Sequence, residues 1–524
     1  MHDLLIKNAR IIDGTGAPWY RGDLAVKGGK IVELGTFSAL SALQVVDADD
    51  KYLTPGFIDI HTHSDDSLIY EPLAESRIFQ GVTTEIGGNC GTSPAPINPD
   101  FVHLTKVVKE YSSRSYSWQT LGEYLNILMR KAPSVNIGVL VGHGTLRTAA
   151  MGFSADPATH GQIETMKNYA VNAMEDGAFG LSSGLIYPPG SFANIDELSR
   201  VASAIAPYGG IYATHMREEG AHVVASVEEA IETARLARVP LQISHHKVTH
   251  RANWGISCKT TIAMIRQARR MGLDVTCDQY PYTASATSLT SNVPEWAFEG
   301  GLDMLITRLI DPETRAILRN QSNASHAGRW DCIHISHLGS EKNSWMIGKP
   351  VTEIAQKLNM DVAEAVFDII IEENGNVGEI NFGMCEEDIE YIMSQPFTMI
   401  GSDGRSMPVA SEGRPHPRNY GTFPRAIARY CRDRGLFPLE TAIAKMTSMP
   451  AARLTLKNRG ILRPGAWADM VIFDFDRIQD NPTYEMPQCA CDGINQVFVN
   501  GVLTAENGRH TGATAGQVLR KNRQ

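Results

Sequence analysis

The chain predicts an α/β fold, a (β/α)8 TIM-like barrel. Short apolar strands alternate with helix-length amphipathic stretches from about residue 55 to residue 450. Reactive side chains recur just beyond those strands, where such a barrel carries its active site. Both chain ends are rich in short β segments, which predicts a small β-sandwich domain built from the two together.

The N-terminal end reads as a β-meander. Leu4-Leu5-Ile6, Ile11-Ile12, Leu24-Ala25-Val26 and Ile31-Val32 are separated by turns at Asp13-Gly14-Thr15-Gly16 and Gly28-Gly29. Similar material returns at Trp467 to Asp474 and Val497 to Gly501. Residues 1–54 with 459–524 are therefore assigned to the small domain. The barrel strands are expected at Phe57 to Ile60, Val82 to Ile86, Ile137 to Val141, Ala178 to Leu181, Gly210 to Thr214, Leu241 to Ser244, Val275 to Asp278 and Thr398 to Ser402. Amphipathic patterns such as Asp196 to Ala206, Ser226 to Ala237 and Thr260 to Met271 lie between them. The gap between the seventh and eighth strands is too long for one helix. The barrel is thus expected over 55–285 and 341–458, with residues 286–340 an inserted lid subdomain.

Composition removes several classes of function. With 524 residues, 43% hydrophobic and 20% charged, the chain is ordinary globular material. A net charge of -10 with no Lys/Arg block argues against nucleic acid or an anionic membrane as partner. No run reaches the roughly 18 apolar residues of a membrane span, and Met1 to Arg10 is no signal peptide. Eight scattered cysteines suit reduced thiols and a cytoplasmic location. Cys489 and Cys491, with no second pair nearby, are read as structural.

The stretch Pro55-Gly56-Phe57-Ile58-Asp59-Ile60-His61-Thr62-His63 organises the candidate site. Residues two apart on a strand share a face, so His61 and His63 can present two imidazoles together, as metal ligands would. Alone, the pair reads more readily as solvated histidines beside a turn. The later strand ends add to it: Gly87-Gly88-Asn89-Cys90-Gly91, Gly142-His143-Gly144, His215, His245-His246-Lys247 and Asp403. Each has a plain structural reading, but their recurrence at one end of a barrel argues for a site.

These motifs resemble the amidohydrolase superfamily, and more closely its D-aminoacylase (N-acyl-D-amino-acid deacylase) family. The resemblance rests on His61-x-His63, Gly81-Val82-Thr83-Thr84 through Gly88-Asn89-Cys90-Gly91, and Gly142-His143-Gly144-Thr145-Leu146-Arg147. It continues through Thr214-His215-Met216-Arg217, Ile243-Ser244-His245-His246-Lys247, Tyr280-Pro281-Tyr282 and Gly401-Ser402-Asp403-Gly404. The fourth strand, Gly180-Leu181-Ser182-Ser183-Gly184, lacks the metal-bridging lysine of many amidohydrolases. That departure suits this family, in which a cysteine after the second strand is a ligand.

The resemblance implies hydrolysis of N-acyl-D-amino acids with Zn2+. Cys90, His215 and His245 would hold a tight zinc, and His61 and His63, with Asp403, would shape a weaker second site. A thiolate and two imidazoles suit zinc. Asp403 would carry the proton from water to the leaving nitrogen. Lys247, Tyr282 and Arg418 would clamp the substrate carboxylate, an arginine fork matching that group; Lys247 and Arg418 also read as plain surface charges. His143 would support either the substrate carbonyl or a loop. The rivals are a cyclic amidase of hydantoinase or dihydroorotase type, a D-residue dipeptidase, and a catalytically dead relative. Cys90 and the missing lysine count against the cyclic amidase, and the filled ligand positions against the dead relative.

Overall fold

The structure is a computed structural model that describes residues 1–37, 41–104, 118–411 and 413–521. The eight apolar segments all form strands, and these pair in parallel. Phe57–Asp59, Val82–Gly87 and Asn136–Val139 make a three-stranded sheet in that order. Val141–Gly142, Gly180–Gly184, Ile211–His215, Leu241–Ile243, Val275–Gln279 and Thr398–Ile400 make a six-stranded one. The sheets meet at Leu140, whose amide donates to the Gly87 carbonyl at 2.9 Å. They meet again where the Asp403 amide donates to the His61 carbonyl at 2.8 Å and the His63 amide to the Gly404 carbonyl at 2.7 Å.

The strands are buried almost throughout, as parallel strands covered by helices are, and carry polar side chains as well as apolar ones. The covering helices carry the stop and start chemistry expected of them. Thr159 and Gln162 form a reciprocal capping box on helix His160–Asp176, and Gly177 at φ +115° ends it. Helix Leu121–Lys131 starts with the same device, from Thr120 and Glu123. Phe57, on the first strand, stacks on Phe423 with ring centroids 5.7 Å apart.

Both chain ends join in one nine-stranded sheet. Within it, Tyr52–Pro55 pairs with His2–Ile11 on one side and with Met470–Phe473 on the other.

Between the seventh and eighth parallel strands lies a three-stranded antiparallel sheet with Val377–Asn381 in the middle, flanked by Ser285–Ser288 and Ile333–Leu338. Four helices share a core with it, Leu302–Ile310, Pro312–Ser325, Val351–Leu358 and Val362–Glu372. Its separate core includes Leu289, Leu305, Ile335, Phe367 and Ile370. These elements continue past the sequence boundary at residue 340. The middle strand comes last in the chain, and a non-local pairing leaves no mark in local pattern.

Among the described residues no helix is long and apolar enough to cross a membrane. All eight cysteines are free thiols.

Candidate active site and metal centre

Two overlapping donor sets converge beyond the C-terminal ends of the parallel strands. His61, His63, Cys90 and Asp403 form one, and Cys90, His215 and His245 the other. Cys90 belongs to both, with its Sγ 3.3 Å from His61 Nε2 and 3.5 Å from His245 Nε2. Asp403 Oδ1 lies 2.9 Å from His63 Nε2 and 3.4 Å from His61 Nε2. All but His63 are buried.

The local backbone is bent to bring them there. Cys90, His245 and Asp403 have φ of +52°, +35° and +52°. Side-chain-bearing residues adopt that region at a cost of order 1–3 kcal/mol, tolerated where surrounding structure over-determines the position. The loop carrying Cys90 shows how. A Cβ on Gly88 would fall 1.9 Å from the Leu140 carbonyl oxygen, and one on Gly91 2.5 Å from the Gly184 amide nitrogen. The Ser182 hydroxyl donates to the Gly88 carbonyl and accepts from the Gly91 amide at 3.0 Å. A serine on the fourth strand thus secures the cysteine loop.

The charges are coupled. Burial alone would keep the Cys90 thiol protonated, but His61 and His245 override it and hold its pKa well below the ordinary value. Burial opposes charge on His61 and His63 as well. Cys90 and Asp278 raise His61 in spite of it, while Asp403 and Cys90 raise His63 to about 9. Asp403 is held well below the usual carboxylate range, against burial, chiefly by Arg418 and then His245.

Supporting carboxylates hold the rings. Asp278 Oδ1 lies 3.2 Å from His61 Nδ1 and accepts the His245 amide at 2.8 Å. Glu219 Oε1 lies 3.0 Å from His245 Nδ1. Imidazoles backed by carboxylates are what metal centres require. Both ring nitrogens of buried His215 make no geometrically sound hydrogen bond. A donor set of one thiol and two such imidazoles fits Zn2+, and the neighbouring imidazole–carboxylate set fits a second ion.

The expected substrate groups are placed unequally. The Arg418 guanidinium is buried at the cluster, with Nη1 2.8 Å from Asp403 Oδ2 and Nη2 donating to the Ala286 carbonyl at 3.2 Å. Lys247 is also buried there, but its ammonium is paired with Glu219 at 2.8 Å. The Tyr282 hydroxyl instead contacts the Pro417 carbonyl at 3.4 Å, and its ring lies under Arg425 at 4.7 Å. Tyr280 is the aromatic beside the two cations, 5.0 Å from Arg418 and 5.6 Å from Lys247. A turn closed by the Tyr282 amide on the Tyr280 carbonyl, at 3.0 Å, breaks the strand alternation between them. His143 is fully buried against Glu197, with Nε2 3.0 Å from Oε1.

Sequence reasoning gave no site role to Glu219, Asp278, Ser182, Tyr187 and Tyr280, although Ser182 and Tyr280 stand in motifs quoted above. Asp278 carried a signal, an acid closing an apolar strand, and so did Glu219, four residues past a strand-end histidine. Tyr187 carried none; its ring packs on His215 at 5.0 Å and its hydroxyl lies 3.0 Å from Thr287 Oγ1.

This fold and donor set define a metal-dependent hydrolase of the amidohydrolase class, and the Amidohydrolase family model matches residues 44–505. The D-aminoacylase of Alcaligenes xylosoxydans xylosoxydans is 37% identical over 520 residues, covering 99% of this chain and 97% of its own. A solved D-aminoacylase with a binuclear metal centre superposes with a TM-score of 0.85 at 36% identity, covering 99% of this chain and all of the other. The N-acyl-D-glutamate deacylase of Bordetella bronchiseptica, solved with zinc and a phosphonate mimic of the tetrahedral intermediate, gives 0.83 at 34% identity, with 99% of each chain covered. The chain belongs to the N-acyl-D-amino-acid deacylase branch of the amidohydrolase family.

Proposed function

We propose that the protein hydrolyses the amide bond of N-acyl-D-amino acids, releasing a carboxylic acid and a free D-amino acid. We read the two parallel sheets as one (β/α)8 barrel, with the inserted unit as its roof. The observation that carries the functional reading is a buried arginine, Arg418, beside a convergent thiol–imidazole–carboxylate donor set. An amide needs the donor set, and the α-carboxylate next to that amide needs the cation.

In this reading Cys90, His215 and His245 hold a tight Zn2+, and His61, His63 and Asp403 shape a weaker second site. When bound, zinc polarises the scissile carbonyl and lowers the pKa of water. The Asp403 carboxylate takes a proton from the attacking water at Oδ1 and returns it to the leaving nitrogen as the C–N bond breaks. Arg418 and Tyr280 bind the α-carboxylate. Lys247, already paired with Glu219, acts mainly through His245, and His143 with Glu197 supports its loop. The strand Ser285–Ser288, which meets Arg418 through the Ala286 carbonyl, carries no charged side chain. That favours D-residues with uncharged side chains over acidic ones.

The test is a panel of N-acetyl-D- and N-acetyl-L-amino acids, with a hydantoin alongside, assayed on zinc-loaded protein. D-selective acetate release with little hydantoin opening is expected. Hydantoin opening as the faster reaction would favour the cyclic-amidase reading, and no turnover with bound zinc the inactive-relative reading.

A further inference from the structure

A second buried network adjoins the chain that carries His61, His63 and Asp403. Arg77, on the single-turn helix Glu75–Ile78, is wholly inaccessible to solvent. Its Nη1 donates to the Ser402 hydroxyl at 3.0 Å and lies 3.6 Å from Asp59 Oδ2, and its Nε lies 3.2 Å from Glu85 Oε1. Each partner is tied to chain next to a donor. Asp59 Oδ1 accepts the His61 amide at 3.3 Å and the Ser402 amide at 2.9 Å. Glu85 accepts the Ser64 hydroxyl at 2.8 Å and the Ser406 hydroxyl at 3.1 Å. The Ser402 hydroxyl accepts the Gly404 amide at 3.0 Å. A Cβ on Gly404 would fall 2.4 Å from Arg77 Nη2, so the backbone beyond Asp403 rests directly on the guanidinium.

We propose that Arg77 is a positioning residue that sets the spacing of His61, His63 and Asp403 by cross-linking residues 59–64 to residues 402–406. The inference rests on the metal-site reading above and divides the donor set in two. Among the described residues, none of the bonds of Arg77, Asp59, Glu85 and Ser402 given above reaches Thr214–Glu219 or Ser244–Lys247, which carry His215 and His245, and the Cys90 loop meets residues 59–64 through the Asn89 side chain, which donates to the Thr62 carbonyl at 3.5 Å. A planar guanidinium can serve several acceptors at once, where an ammonium acts as a point charge. A buried ion pair contributes little net stability compared with apolar packing of similar volume, so stability alone does not account for this network.

The experiment is a cobalt(II) titration of metal-free wild type, Arg77→Met, Arg77→Lys and Ser402→Ala. It follows the thiolate-to-metal absorption band for the first equivalent and ligand-field bands for the second, with kcat and KM measured on the zinc enzymes. The first equivalent should bind every variant as it binds wild type. The second should bind Arg77→Met about 10–100-fold more weakly, the range found when groups supporting metal ligands are removed. Arg77→Lys should recover part of that loss, and kcat should fall while KM moves little. Ser402→Ala removes one hydroxyl only and should show the same selective weakening on a smaller scale, even if Arg77→Met fails to fold. Equal weakening of both equivalents, or an unchanged second equivalent in Ser402→Ala and in folded Arg77→Met, would overturn the proposal. A wild type without a thiolate band, or with one equivalent alone, would overturn the metal-site reading itself and the inference with it.

Discussion

Arg418 faces two negative groups in the proposed reaction, Asp403 in the free protein and the α-carboxylate in the complex. Replacing it with alanine therefore does two things. It strips Asp403 of the cation 2.8 Å away, which affects every substrate, and it removes the carboxylate's partner, which affects only substrates that carry one. A cycle separates the two. Wild type and Arg418→Ala are each assayed by acetate release from an N-acetyl-D-amino acid and from its α-carboxamide. A charge-assisted hydrogen bond contributes roughly 1.5–3 kcal/mol. At about 1.4 kcal/mol per factor of ten, the substitution should lower kcat/KM for the acid about 10- to 100-fold more than for the amide. The common loss on both substrates reports the Asp403 effect. The D/L ratio for the acid should also narrow, because a substrate held only at the carbonyl can pivot. Equal losses for acid and amide would show that Arg418 serves Asp403 alone and that the carboxylate is bound elsewhere.

Two further outcomes are expected. Cys90→Ala should lose tight zinc, weakening the first equivalent by at least the roughly 10–100-fold that removing a supporting group costs; full zinc in the dialysed variant, by elemental analysis, would rule Cys90 out as a ligand. Glu379, buried in the inserted unit with Asn292 donating to it, is pushed by that burial from 4.5 up to about 8. The folded protein therefore holds a proton that the unfolded chain releases, so this contribution is fully present below about pH 4.5 and is lost as pH rises through about 8. Its ceiling, at about 1.4 kcal/mol per unit, is about 5 kcal/mol. Glu379→Gln should flatten the fall in unfolding free energy over that window, and an unchanged slope in urea melts would refute it.

Residue type and strand periodicity are local properties, and they carried much of this protein's description. Most of the parallel strands are short, mainly apolar runs that end in a chemically distinct residue. His61, His63, Cys90, His215, His245 and Asp403 were therefore legible as strand-end groups, and the structure brings those six together. The β-rich ends were legible in the same way, because alternating apolar bursts and glycine turns are written in consecutive residues. Pairing between distant residues is not written locally. Tertiary structure decided that Lys247 meets Glu219, 28 residues away, so that its charge is already answered within the protein. It decided that Tyr280 lies beside Arg418 while Tyr282 lies against Arg425, because a three-residue turn breaks the strand's alternation. It also placed the middle strand of the inserted sheet at Val377–Asn381, after the strands it joins. The left-handed backbone at Cys90, His245 and Asp403 belongs to the same class. Local preference offers a cysteine nothing toward that conformation and histidine and aspartate only an enrichment within a rare class, and packing from several strand ends at once holds it.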